Sequence, residues 1–318
     1  EVTAWRNGGA EQCVALDVDA IVAGTEPTLV ARRGSRNASK SGCRVRWLEC
    51  DRIEYRRLAW LERSLHRDLG RMYRRFIAGG LTITINGARV EVVDPSLRTT
   101  KLEGASAQLA FDELKYELAA TVGGTSVVTV RFVMLPVHRW HNLDNVTKRR
   151  VGIVGGGGVS ILRAGREIAT GWHLMGGKRR ENYDDWWRCE IEFDPSLDEH
   201  FGITINKQGI RPSATLREAL EPELESIARL LNARVRQAFE DVKFQAAAEK
   251  SCRIAAAADP DLPLISSRGR SGSIQYRIGS DALPMTVMFR SQLAQRTLNL
   301  TLNADHPAFA ALYQPLQG

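Results

Sequence analysis

Apolar and polar residues change their spacing several times along this chain, and each change marks an element. Over residues 1–50 the apolar pieces are short. Cys13, Ala15 and the pair Ile21-Val22 are separated by polar turns, and ARRGSRNASKSG (31–42) is a basic loop. CRVRWLEC (43–50) alternates, with Val45 and Trp47 on one side and Arg44 and Arg46 on the other, which predicts a strand. The period then lengthens. Leu58, Leu61, Leu65, Leu69, Met72 and Phe76 recur at helical spacing until Gly79-Gly80, predicting one long helix. Arg63, Arg67, Arg71 and Arg74 make a second stripe on it. LTITINGARVEVVD (81–94) returns to alternation on both sides of Asn86-Gly87, the pattern of a hairpin with a tight turn.

Residues 96–108 read as a loop. DELKYELAA (112–120) and TSVVTVRFVMLPV (125–137) read as strands turned at Gly123-Gly124. VSILRAGREI (159–168) and WWRCEIEFD (186–194) read as two more, separated by the charged loop GWHLMGGKRRENYDD (171–185). After residue 212, Ser213 is placed to cap a helix, and Leu224, Ile227, Leu231, Val235, Phe239 and Val242 form one stripe of a second helix. AAAADPDLPL (255–264) reads as a linker. Three short strands (SIQYRI, MTVMFR and RTLNLTLN) and a terminal helix, PAFAALYQ, complete a small unit. The predicted class is α+β, with a mixed or antiparallel sheet backed by helices.

Composition refines this picture. At 318 residues, 43% hydrophobic and 25% charged, the chain has the make-up of a globular protein with room for two or three cores. No run reaches the roughly 18 apolar residues of a membrane span. The opening segment is mixed and polar, unlike a signal peptide. It starts at Glu1 and alternates at once, as expected for a domain cut within its sheet. The five cysteines (Cys13, Cys43, Cys50, Cys189, Cys252) are scattered and odd in number, which argues against a disulfide framework or structural zinc and fits the reducing cytoplasm. A net charge of +7 allows contact with nucleic acid or nucleotide but is common among ordinary enzymes.

Candidate chemistry is sparse. The glycines of GGGG (155–158) precede a strand and lack the lysine and Ser/Thr of a phosphate loop, so they read as a flexible loop. His138 and His141, with the lone His173, His200 and His306, have no placed partners for a metal. Asp194, Asp198 and Glu199 read as a turn facing water. Like charges at helical spacing cost roughly 0.2–0.5 kcal/mol per pair. Arg63, Arg67, Arg71 and Arg74 are therefore either a solvated face or a grip for phosphates, nucleic acid included. In FGITINKQGIRPS (201–213), Lys207 sits between Asn206 and Gln208 at the tip of a turn. Two readings stand: a solvated loop, or a lysine held out toward an anion.

Three segments together resemble one family. SGCRVRWLECDRI (41–53) is similar to the late strand motif of GHKL ATPases, with Cys43 where threonine is usual. VSILRAGREI, followed by DDWWRCEIEFDPSLDEHFGITINKQGI (184–210), resembles the transducer-like domain of MORC-type proteins and their bacterial relatives. The resemblance spans most of residues 41–240. It implies a remnant of the Bergerat-type β layer over 1–55, a transducer-like domain over 56–250 and a small α+β unit over 262–318. It also implies that Lys207 reaches the γ-phosphate of ATP, with Asn206 and Gln208 shaping its loop. A lysine ammonium suits that task as a compact point charge.

Homodimerisation driven by ATP, and action on DNA or in genome defence, follow from the same resemblance. The family's magnesium-holding asparagine helix and adenine-reading DxGxG are not found; RDLGRM (67–72) lacks the second glycine. ATP and magnesium are thus expected to need a pocket completed by an upstream domain or another subunit, and not to bind this chain alone. The competing expectation is a non-enzymatic module that binds nucleic acid or protein through the basic helix and the C-terminal unit.

Overall fold

The computed structural model describes residues 1–24, 31–37, 40–50, 57–121, 123–203, 209–258, 275–295 and 297–313. The chain is α+β, about 35% helix and 29% strand. It divides into two compact units, Glu1–Ser64 and Leu65–Gly318, where the sequence suggests three pieces.

In the first unit β1 (Val2–Trp5), β2 (Ala10–Val14), β3 (Arg32–Asn37) and β4 (Gly42–Val45) form an antiparallel sheet in the order β3-β2-β1-β4. Trp5 lies opposite Gly42, and a Cβ there would come within 2.4 Å of the indole, so only glycine fits beneath the ring. The short α1 (Val18–Val22) is capped by Asp17, whose carboxylate accepts from the backbone N–H of Asp19 and Ala20. Among the described residues, every buried apolar side chain of the protein lies at Ile77 or beyond, so this unit has no closed core of its own.

Helix α2 (Leu58–Met72) leads into the second unit and is followed, past Tyr73, by α3 (Arg74–Ala78). The predicted apolar stripe does not decide how they pack. Leu65 and Phe76 are 36% and 41% exposed, while Arg74 is 5% exposed. The hairpin predicted at Asn86-Gly87 is present as β5 (Thr84–Ile85) and β6 (Ala88–Arg89), with both turn residues at positive φ (50° and 83°). It is shorter than its alternating pattern because the chain leaves it to pack on α2, where Val93 N–H donates to Gly70 C=O at 3.2 Å.

The main sheet holds β7 (Gln108–Leu109), β8 (Leu114–Ala119), β9 (Thr125–Met134), β10 (Gly158–Arg163), β11 (Arg166–Gly171) and β12 (Trp187–Phe193). Its order is β11-β10-β12-β9, with β7 and β8 both paired to the far edge of β9. The β10–β12 pair is parallel and the other pairs are antiparallel. VSILRAGREI, expected to be one strand, is two: the chain reverses at Ala164-Gly165, both at positive φ. Between β9 and β10 lie α4 (Val137–Trp140) and α5 (Asn145–Val151). The latter is capped by Asp144 at one end and by left-handed Gly152 at the other.

After β12 comes α6 (Asp198–Phe201) and then α7 (Ala214–Ala258), a single helix of 45 residues where the sequence suggests two. Ser213 caps it as expected, accepting from Leu216 N–H at 3.2 Å. Pro222 lies inside it without ending it. Leu216, Leu220, Leu224, Ala228 and Leu231 recur every three or four residues and bury completely against the sheet, joining Trp187, Ile191 and Phe193 in the larger core. Each such leucine contributes roughly 1.5–3 kcal/mol of burial. The C-terminal strands β13 (Gln275–Asp281), β14 (Phe289–Ala294) and β15 (Thr297–Asn303) form a mixed three-stranded sheet in the order β13-β15-β14. Phe244 of α7 meets the rings of Phe309 and Tyr313 beside it. Among the described residues no helix is long and apolar enough to cross a membrane.

Candidate functional site

Strand β12 alternates two chemistries. Trp187, Cys189, Ile191 and Phe193 join the apolar core under α7, whereas Arg188, Glu190 and Glu192 point to the other face. Glu167 of β11, Ser160 of β10 and Arg131 of β9 share that second face, and α2–α3 bring arginines to it. Arg71 Nε donates to Glu167 Oε1 at 2.6 Å. Arg74 Nη1 donates to Glu167 Oε2 at 2.5 Å, and its Nη2 reaches Glu190. Arg75 bonds Glu192 and lies 3.4 Å from Glu190, while Arg131 Nη1 donates to Glu192 Oε2 at 2.8 Å.

Burial by itself would lower the pKa of Arg74, but Glu167 and Glu190 outweigh it and hold the guanidinium above its ordinary value. Burial likewise favours the neutral form of Glu192. Hydrogen bonds from Arg75 and Arg131 overcome it and keep the carboxyl below its usual range.

The predicted arginine stripe therefore divides. Arg63 is exposed, its guanidinium 4.9 Å from the Trp60 ring centre. Arg67 is exposed and lies 3.0 Å from Asp68. Arg71 is one-third exposed and bound to Glu167. Arg74 is turned inward by the acidic face beneath it, so it offers nothing to an outside phosphate.

GGGG (155–158) is a close-packed corner rather than a loop made of glycine for freedom. A Cβ on Gly156 would lie 2.0 Å from Gly152 O, and one on Gly157 would lie 2.6 Å from Asp184 O. Gly158 has φ +127° and faces Gly171 O. Arg188 holds this corner. Its guanidinium donates to the carbonyls of Pro95, Gly152, Ile153, Asp185 and Trp187. Burial lowers its pKa to about 10, with Asp185 offsetting part of the shift. Nearby, Lys178 is buried against Asp184 at 2.5 Å, beneath the rings of Trp172 and Trp187.

The acidic turn is only partly as expected. Asp194 caps it, but Asp198 grips Arg163 through two bonds of 2.6 and 2.8 Å instead of facing water alone.

Beside the ionic face opens a cleft of about 570 Å³, lined by Arg71, Arg166, Glu167, Thr170, His173 and Ile210, among others. Arg166 differs from its neighbours. Among the described residues its Nη2 meets only the Met72 sulfur, at 3.5 Å, and its guanidinium lies 5.3 Å from the Tyr73 ring centre. Its Nε is buried with no acceptor among the described residues. Asn206, Lys207 and Gln208 fall in 204–208, outside the described residues. The residues on either side are placed: Ile203 and Ile210 pack on the main core, and Gly209 and Ile210 line the cleft.

No family model matches this chain, and no curated protein matches it significantly.

The sequence holds neither an asparagine-bearing helix of the magnesium-binding type nor DxGxG. Among the described residues no three His, Cys, Asp or Glu side chains converge as metal ligands. His141, His200 and His306 instead meet backbone groups at 3.1, 2.8 and 3.0 Å.

Sequence reasoning passes over Arg166, Glu167, Glu190 and Glu192. For Glu190 and Glu192 the signal is charge at every second position of an otherwise apolar strand, with Arg188 before them; Arg166 and Glu167 are adjacent in sequence and carry no such pattern.

Proposed function

We propose that this chain is the transducer-like portion of a MORC-like GHKL ATPase, responding to the terminal phosphate of ATP held in a pocket it does not complete alone. Lys207 contacts that phosphate, with Asn206 and Gln208 shaping its turn, and the response is transmitted to the pairing of two copies, with DNA as the substrate acted upon. One observation carries the reading. The residues following the Asn-Lys-Gln turn, Gly209 and Ile210, line a cleft that also presents Arg71, Arg166 and His173. Lys207 precedes Gly209 by two positions in the sequence, and the cleft presents the guanidiniums of Arg71 and Arg166, beside the carboxylates of Asp68 and Glu167, as donors suited to phosphate oxygens.

The test is Lys207→Ala in the full-length gene product, with ATP turnover as the readout. Turnover falls by about 10²-fold or more if the lysine stabilises phosphoryl charge; unchanged turnover removes the role.

A second reading, nucleic-acid binding without ATP chemistry, draws on the exposure of Arg63 and Arg67. It predicts duplex DNA affinity that falls steeply with salt. No binding at low salt eliminates it.

A further inference from the structure

We infer that the cleft of Arg166 and His173 is a phosphate-binding site in which Arg166 is the anchoring cation. The inference rests on the nucleotide reading only for the source of the phosphate, since the site itself is built without Lys207.

The charges around the cleft are unevenly matched. Glu167 is bound by both Arg71 and Arg74, and Asp68 lies 3.0 Å from Arg67. Arg166 makes no ion pair among the described residues, and its contacts are a thioether and an aromatic face. It also carries a buried N–H with no acceptor. Guanidinium donors of this kind are most stable against an oxyanion, which supplies both the missing acceptors and the missing charge. Swinging Arg166 toward such a ligand breaks no strong hydrogen bond. Arg71, one-third exposed on the cleft wall, adds a second cation without leaving Glu167. Thr170 and His173 supply further polar groups on the rim. At about 570 Å³ the space admits a terminal phosphate or a stretch of phosphodiester backbone.

The experiment is calorimetric titration of this chain with inorganic tripolyphosphate and, separately, with a short DNA duplex. Wild type is compared with Arg166→Met, Arg166→Gln and Arg217→Met, the last removing an exposed arginine of α7. Arg166→Met is expected to weaken binding by about tenfold to a hundredfold, while Arg217→Met leaves it unchanged. Thermal midpoints are measured alongside, and Arg166→Gln, which keeps a polar end in the cleft, serves if the methionine variant melts early. Duplex binding in place of tripolyphosphate, with the same dependence on Arg166, retains the site and assigns its phosphate to a nucleic-acid backbone. Equal affinity of wild type and the Arg166 variants, or no binding of either probe at low salt, overturns the site. These titrations need no hydrolysis, so they stand apart from the Lys207→Ala turnover test.

Discussion

Arg74 donates to Glu167 across 2.5 Å between α3 and β11, and both side chains are almost fully closed off from water. Such a pair is costly to assemble and more costly to break, because the survivor keeps its charge without its partner. Arg74 also serves Glu190, so its removal takes a partner from two carboxylates, leaving Glu167 to Arg71 and Glu190 to Arg75 at 3.4 Å. Arg74→Met is expected to destabilise the protein by about 3–5 kcal/mol in urea denaturation. A double-mutant cycle with Glu167→Gln should give a coupling of at least about 1 kcal/mol. Additive effects would mean the two do not interact in solution.

The divided arginine stripe predicts unequal costs along one helix. Arg63→Ala and Arg67→Ala are expected to change stability by no more than about 1 kcal/mol, since exposed contacts of this kind contribute little. Arg71→Ala removes a bond to a carboxylate that is only 5% exposed and should cost clearly more. Denaturation midpoints of the three variants, read side by side, check the order.

The glycine corner is testable in the same way. Gly156→Ala forces a methyl toward Gly152 O at 2.0 Å and should cost roughly 1–3 kcal/mol or prevent folding. Gly177→Ala, where nothing lies within 4 Å and φ is ordinary, should stay within about 0.5 kcal/mol. Equal tolerance at the two positions would contradict the close-packed corner.

Acid sensitivity follows from Glu192 and Asp94. Burial raises both carboxyls, but hydrogen bonds from Arg75 and Arg131 to Glu192, and from Ser96 and Thr99 to Asp94, bring both below their ordinary values. A group whose folded pKa is lowered adds stability that is complete above its unfolded pKa and lost as pH falls through the folded one. Stability should therefore begin to fall below about pH 4.5 and keep falling past it. Glu192→Gln should shallow that slope in urea titrations run across the acid range.

Several elements were legible because their cause is local. Asn86-Gly87 closes its hairpin, Gly123-Gly124 turns β8 into β9, and Ser213 caps α7, each through residues a few positions apart. Two boundaries were hidden. Ala164 takes φ 47°, a conformation its side chain does not advertise, so one strand was read where two exist. The sequence suggests two helices after Ser213, yet packing of the leucine stripe carries α7 through Pro222 as one. At the site, the arginines of α2–α3 were visible as a stripe, but their direction was not. Their carboxylates lie 93–117 positions away, and only the sheet brings them together.

The main sheet is oily on the side of α7 and ionic on the side of α2–α3, and the two sides set different rules for movement. A greasy contact can slip by small amounts at little cost, because leucine against isoleucine is indifferent to direction. Paired charges are not indifferent: a guanidinium either meets its carboxylate or leaves it bare. α3 consequently rests on the sheet as a pawl rests in a ratchet, held at the position where Arg74 and Arg75 meet their carboxylates. A push on that helix is resisted until it parts the guanidiniums of Arg74 and Arg75 from their carboxylates.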